Sequence, residues 1–293
     1  MRGEVRRTGN VHFLPTAHPS PLSPHPLNTM PETISLFGMT IDRVCMAEAV
    51  ARLRQWIDAD ESKCRYVVTP NVDHAVMIGE RADLRRAYER AAMVLADGFP
   101  VVLAARLLGR PLPERVAGSD LAPALFESTR AGRPLRVFLL GAAEGVADRA
   151  AERIAARWPN VQIVGTYSPP LGFERNEQEN AAIIDRVNAV RPDVLVLGFG
   201  APKQELWIAA QHERLHAKTA LCLGATIDFL AGEKRRAPRW MQRCGLEWFH
   251  RLATEPRRLF RRYARDAWIF PQLVWNEWRT TTPSRTFGRA TAQ

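Results

Sequence analysis

The chain reads as an α/β protein: a Rossmann-like, mainly parallel sheet flanked by helices, with a basic helical C-terminal appendage. Three observations predict this. From Ile34 onward, short apolar runs alternate with stretches of helical periodicity. Several runs, above all DVLVLGFG (193–200), are apolar throughout rather than at every second position, as in strands covered on both faces. The charge is also lopsided. The formal net charge is +10, and the segment Lys234–Arg265 holds eleven Lys and Arg against only Glu247 and Glu255.

Taken in order, ISLFGMTID (34–42) is a strand, turn and return strand. Met46–Ala59 sets Ala49, Val50, Leu53 and Ile57 at helical spacing. RYVVTPN (65–71) is a strand ending at Pro70, followed by helices over Asp73–Gly79 and Asp83–Ala92. MVLADG (93–98) is a strand closed by Asp-Gly. Pro100 opens a helix to Leu108, where its missing N–H costs nothing, and Ser119-Asp120 can cap the next helix. RVFLLGAA (136–143) is a strand, and its helix runs to about Trp158. VQIVGTYSPP (161–170) is a strand before a helix over Glu177–Val190. DVLVLGFG precedes a helix over Gln204–Arg214, and ALCLGATIDF (220–229) reads as a further strand.

Four segments follow. Residues 1–30 are rich in Pro and His without a signal-peptide apolar stretch, and read as a disordered leader or an over-extended start before Met30. Residues 31–233 form the α/β core, 234–279 a basic, Trp-rich helical appendage, and 280–293 a disordered tail. Cys45, Cys64, Cys222 and Cys244 are too scattered for zinc, and Cys64 and Cys222 read as buried thiols. No run of 18 apolar residues predicts a spanning helix. The excess cations call for an anionic partner: nucleic acid, a phosphorylated substrate or anionic lipid.

Ligands of such sheets bind beyond the C-terminal strand ends. The candidates there are Thr69, Asn71, Asp97, Gly141, Gly198, Gly200, Gln204 and Asp228. Each also has a structural reading as a cap, a turn or a tight packing point. Gly198 and Gly200 would let a ligand approach the backbone and offer N–H donors at a helix start, with Lys203 a source of charge. LGFGAPKQ (197–204) lacks the third glycine of a dinucleotide loop, and no acidic residue follows at the ribose-binding distance. A nucleotide-cofactor oxidoreductase is therefore a weak alternative, as is a nucleic-acid-binding protein using the basic tail.

Five stretches together resemble the WecG/TagA/CpsF glycosyltransferases (glycosyltransferase family 26). They are VVTPNVDHAV (67–76), ADGFPVVLAARLLGRPLPERVAGSDL (96–121), FLLGAAEGVADRAA (138–151), VLVLGFGAPKQELWI (194–208) and the stretch from Gly224 to Tyr263. The resemblance covers about Ile34–Phe270. It implies an inverting, metal-independent hexosyltransferase that uses a UDP-sugar donor, the sugar being N-acetylmannosamine, its uronic acid, glucose or similar. The acceptor would be a sugar linked to a polyprenyl pyrophosphate at the inner face of the plasma membrane. No cofactor and no nucleic acid are called for, and a homo-oligomer is compatible.

By the same resemblance Asp97 is the base, Thr69 and Asn71 position the acceptor or orient that base, and Arg115 belongs to the active site. Gln204 falls at a donor-site position, Asp228 meets the nucleotide, and Arg251, Arg258 and Arg261 close over the leaving diphosphate. Arg258 and Arg261 would share a helix face. Trp240, Trp248, Trp268, Trp275 and Trp278 among the cations describe either core packing or a surface suited to anionic lipid.

Overall fold

A computed structural model of the chain describes residues 32–59, 63–130 and 132–281. The expectations for residues 1–30 and for nearly all of 280–293 lie outside the described residues.

The chain enters through an antiparallel hairpin, β1 (Thr33–Leu36) and β2 (Met39–Asp42), then helix α1 (Met46–Asp58). The main sheet has six strands, all paired in parallel, in the order β4-β3-β8-β7-β5-β6. Its members are β3 (Arg65–Val68), β4 (Met93–Val94), β5 (Leu135–Gly141), β6 (Val161–Tyr167), β7 (Val194–Gly198) and β8 (Thr219–Cys222). Between them run α2 (Val72–Glu80), α3 (Ala82–Glu89), α4 (Phe99–Leu107), α5 (Gly118–Glu127), α6 (Val146–Arg157), α7 (Glu177–Val190) and α8 (Lys203–Gln211). After β8 come α9 (Thr226–Ala231), α10 (Arg239–Arg243), α11 (Glu247–Thr254) and the long α12 (Pro256–Thr281).

The uniformly apolar strands have the expected cause. Successive side chains point to opposite faces, and each face meets its own core. Tyr66, Val68, Leu195, Leu197, Ala220 and Cys222 pack on one side with Ala75, Ile78, Leu84, Ile183 and Ile208. Val67, Val194, Val196 and Leu221 pack on the other with Leu53, Leu121, Ala150 and Ile227. Cys64 and Cys222 are buried free thiols. Long α12 lies on the first core through Phe270, Leu273 and Val274. Phe270 meets Phe37 of the hairpin turn edge-on at 5.2 Å, and Arg110 binds Glu277 at 2.7 Å.

Two local expectations are corrected. Ser119-Asp120 do not cap α5. That helix starts at Gly118 with Ala117 as an N-cap that makes no side-chain bond, and the Gly118 N–H points at the Asp97 carboxylate, 3.4 Å away. ALCLGATIDF is a strand only as far as Cys222. Gly224 takes a positive φ of 55°, and Thr226 donates its hydroxyl to Leu223 O at 2.8 Å. Thr226 and Asp228 therefore lie on the first turn of α9, not on a strand end.

Candidate active site

A cavity of about 440 Å³ opens over the C-terminal ends of β4, β3, β8 and β7. Its core wall includes Thr69, Asn71, Asp97, Arg115, Gly200 and Gln204; its outer wall comes from α11 and α12 and includes Trp248, Arg251, Arg258, Arg262, Tyr263 and Asp266. Four adjacent parallel strands deliver the polar residues to one place because each ends at the same edge of the sheet.

Asp97 follows β4, and its backbone N–H donates to Pro70 O at 2.8 Å, which fixes it beside the β3 exit. Removal from water pushes the Asp97 carboxyl up to about 6; Arg115 and Arg251 pull it down, while Glu247 pushes it further up. Thr69 is buried and donates to Cys222 O at 3.2 Å, tying the β3 and β8 exits. Asn71 is the N-cap of α2, and its Oδ1 accepts the Asp73 N–H at 3.0 Å. Capping leaves the Asn71 amide nitrogen for the cavity, so the structural and functional readings coexist.

Arg115 is held in a ring of four charges. It donates to Glu247 at 2.9 Å and lies 3.7 Å from Asp120. Arg236 closes the ring by pairing with Asp120 and lying 3.9 Å from Glu247. Core residues Arg115 and Asp120 are thus bound to residues of the basic segment, and the guanidinium beside Asp97 is oriented from both.

The glycines separate into two kinds. Gly200, at φ 78° with open space around its Cα, lines the cavity and allows a ligand to approach the backbone. Gly141 and Gly198 face each other instead. A Cβ on Gly141, already at φ 119°, would sit 2.7 Å from the Gly198 carbonyl carbon, so these two serve strand-to-strand packing and do not line the cavity. Lys203 turns to Glu174 at 3.2 Å and lies over the Phe173 ring. Asp228 also sits off the cavity, 3.7 Å from Lys234.

On the outer wall Arg251 stacks 5.5 Å from the Phe229 ring, and Arg258 pairs with Glu255 at 2.5 Å. The expectation for Arg261 needs correction. It is exposed and off the cavity lining, and Arg262 occupies the cavity face, because α12 presents the pairs 258/259, 262/263, 266/267 and 270/271, four residues apart on one face of the helix. Arg262 and Arg265 reach Asp73 on α2 at 3.5 and 2.9 Å. Asp266 is buried beside them, its carboxyl pushed up to about 6 by desolvation and Asp73 against the pull of Arg265.

Sequence reasoning missed Arg262, Asp73, Asp266, Glu247 and Arg236. Arg262 was legible as the i+4 partner of Arg258; Arg236, Glu247 and Asp73 carry no local signal, since Asp120, Arg115 and Arg265, with which they pair, are more than a hundred residues away. Among the described residues, no three His, Cys, Asp or Glu side chains gather as metal ligands.

A parallel α/β sheet with a carboxylate of raised pKa at its edge and arginines above it defines an enzyme site for an anionic substrate. Comparison with known proteins names the kind. The sequence profile of the Glycosyl transferase WecG/TagA/CpsF family matches residues 34–284, and the chain belongs to that family of glycosyltransferases. It is similar to the N-acetylglucosaminyldiphosphoundecaprenol N-acetyl-beta-D-mannosaminyltransferase of Bacillus spizizenii, 32% identical over 68% of this chain and 75% of the relative. Proteins of the same name from Staphylococcus aureus strains MRSA252 and NCTC 8325 are 27% and 26% identical over 78% of this chain and 87% of theirs.

Proposed function

We propose that the protein moves a sugar from a UDP-sugar to a sugar carried on a polyprenyl pyrophosphate, with inversion at the anomeric carbon and without a metal ion, in the synthesis of a cell-surface polysaccharide. The observation that carries this reading is Asp97: a carboxylate at the sheet edge that shares its cavity with Arg115 and Arg251, its pKa raised to about 6 by burial against their pull. The names of the relatives support N-acetylmannosamine as the sugar and an N-acetylglucosaminyl diphospholipid as the acceptor.

The reaction needs a proton removed and a charge neutralised. The acceptor hydroxyl attacks the anomeric carbon as the bond to UDP breaks, and Asp97 takes the hydroxyl proton. With a pKa near 6, Asp97 is ionised at neutral pH yet a stronger base than an ordinary surface carboxylate. Arg115 is oriented by Glu247 and Asp120 and keeps the ionised form of Asp97 in place. Arg251, Arg258 and Arg262 take up the charge that grows on the leaving diphosphate, for which forked guanidinium contacts are suited. Thr69, Asn71, Gly200 and Gln204 line the space left for the sugars.

The acceptor is a lipid, and the surface supports a peripheral membrane position. Among the described residues no helix is long and apolar enough to cross a membrane. Trp240, Trp248, Trp268, Trp275 and Trp278 are 47–75% exposed among the cations of the last three helices. Aromatic and basic side chains together suit the interface of an anionic bilayer at its cytoplasmic face.

The test is a panel of UDP-sugars incubated with N-acetylglucosaminyl pyrophosphoryl lipid, with product mass as the readout. The expected result is one added N-acetylhexosamine from UDP-N-acetylmannosamine, undiminished by EDTA. No turnover with any UDP-sugar would remove the reading. Loss of turnover in EDTA, restored by a divalent cation, would remove the metal-free step.

A further inference from the structure

Two buried polar side chains at the cavity are used by no step of the transfer: His74, in the cavity wall, and Glu205, behind it. Glu205, the third residue of α8, is fully buried, and His74 of α2 is 7% exposed. His74 Nδ1 lies 2.9 Å from Asn71 Oδ1, and His74 Nε2 lies 3.4 Å from Glu205 Oε1. The same Glu205 oxygen accepts from Gln204 Nε2 at 2.8 Å, and Gln204 Oε1 accepts the Gly224 N–H at 3.1 Å. One continuous run therefore ties the exits of β3, β7 and β8 beneath the cavity.

We propose that His74 and Glu205 are positioning residues: a buried imidazolium–carboxylate pair that locks the amides of Asn71 and Gln204 with their N–H groups turned to the substrate. The assignment rests on the glycosyltransferase reading and adds two residues to it. The chemistry follows from donor and acceptor counts. Asn71 Oδ1 is occupied by the Asp73 N–H and by His74, so the nitrogen of that amide is what remains. Gln204 gives one N–H to Glu205 and its oxygen to Gly224, so its second N–H remains. Flipping Gln204 would turn its oxygen toward the Glu205 carboxylate. Both cavity amides are thereby donors, matched to hydroxyl, carbonyl or phosphate oxygens of a sugar nucleotide or its acceptor.

The protonation state is part of the assignment. The Asn71 backbone N–H also lies 3.2 Å from His74 Nδ1, a contact that serves a ring with a bare Nδ1, whereas the Oδ1 contact serves a ring with a proton on Nδ1; with Nε2 facing the Glu205 carboxylate, that ring carries both protons. Burial disfavours the imidazolium, but Glu205, with Asp73 and Asp97 further off, outweighs burial and raises the His74 pKa. Tyr88 of α3 faces the ring at 6.3 Å as an uncharged neighbour. Packing alone does not explain the pair. Glu205 Oε2 and His74 Nε2 are both buried without a hydrogen bond, the ring nitrogen meeting the carboxylate only as a 3.4 Å ion pair, and apolar side chains of similar volume often fill such a space at no loss of stability.

The experiment combines Glu205→Gln with a cycle on Asn71. Glu205→Gln keeps the shape and removes the charge. We expect a cooperative thermal transition, a kcat lowered about tenfold or more and a donor KM within about threefold of the parent. Asn71→Ala should cost about tenfold or more in the parent but no more than about threefold in the Glu205→Gln background. Parent-like kcat in Glu205→Gln, or penalties that multiply in full, would overturn the proposal. If Glu205→Gln does not fold, His74→Gln carries the same cycle. A readout independent of turnover is the nitrogen-15 spectrum of the His74 ring at pH 7.5. Two protonated nitrogens in the parent are expected, with the Gln204 side-chain amide signals shifted or broadened in Glu205→Gln; a neutral ring or unmoved amide signals would overturn it. Should the parent transfer no sugar, the functional reading falls, and these spectra still decide the pair.

Discussion

At the scale of the residue, Asp97 carries opposite demands. Its raised pKa makes it a competent base and a liability to the fold. An unfolded Asp titrates near 3.8 and the folded one near 6, so between those pH values the folded state holds a proton that the unfolded state has lost. Stability from this group therefore falls as pH rises through that window and stays low above it. The full shift corresponds to about 3 kcal/mol as an order of magnitude. Asp97→Asn should thus lose transfer by about a hundredfold or more while binding UDP like the parent. It should also melt higher than the parent at pH 7.5 and show no such gain at pH 3.5. The kcat/KM of the parent should rise between pH 5 and 7 with an apparent pKa near 6. Asp97 was legible because it closes an apolar run. Its ring of partners was not, since Arg115, Glu247, Asp120 and Arg236 come from distant parts of the chain.

At the scale of the element, α12 shows how a helix decides between neighbouring residues. Arg258 and Arg261 are three apart and Arg258 and Arg262 four apart, and spacing alone permits either pair. Packing of Phe270, Leu273 and Val274 against the core, with Leu259 buried, sets the rotation of the helix and brings Arg262 to the cavity. Arg262→Ala should therefore lower kcat/KM by about tenfold or more, the worth of one charge-assisted contact, and by more than Arg261→Ala does. Steady-state kinetics with UDP-sugar as the varied substrate checks this. Asp73 is the matching case on α2. It reads as a helix-start acid in the sequence, yet in the fold its carboxylate holds Arg262 and Arg265 and so docks α12. Asp73→Asn should weaken that docking, seen as faster proteolysis within 256–281.

At the scale of the molecule, the basic segment is both a wall of the site and the surface with exposed tryptophans. Removal of everything after Glu233 should abolish transfer and binding to anionic vesicles together. Vesicle binding by the full chain should weaken steeply between 50 and 500 mM salt, with Debye screening falling from about 14 Å to about 4 Å. Retained turnover in the truncated protein would separate the segment from catalysis.

The alternation of apolar runs and helical stretches was enough to read the parallel sheet, because burial on both faces leaves its mark in the inner strands, whatever their neighbours. The residues that end those strands were legible for the same reason: Thr69, Asn71, Asp97, Gly200 and Gln204 were candidates in the sequence and meet at one cavity. The strand order, the packing role of Gly141 and Gly198, the choice of Arg262 and the run through His74 and Glu205 came only with the tertiary structure. Periodicity records how a residue stands toward water. It does not record which distant residue stands beside it, and ion pairs and hydrogen bonds depend on that second fact.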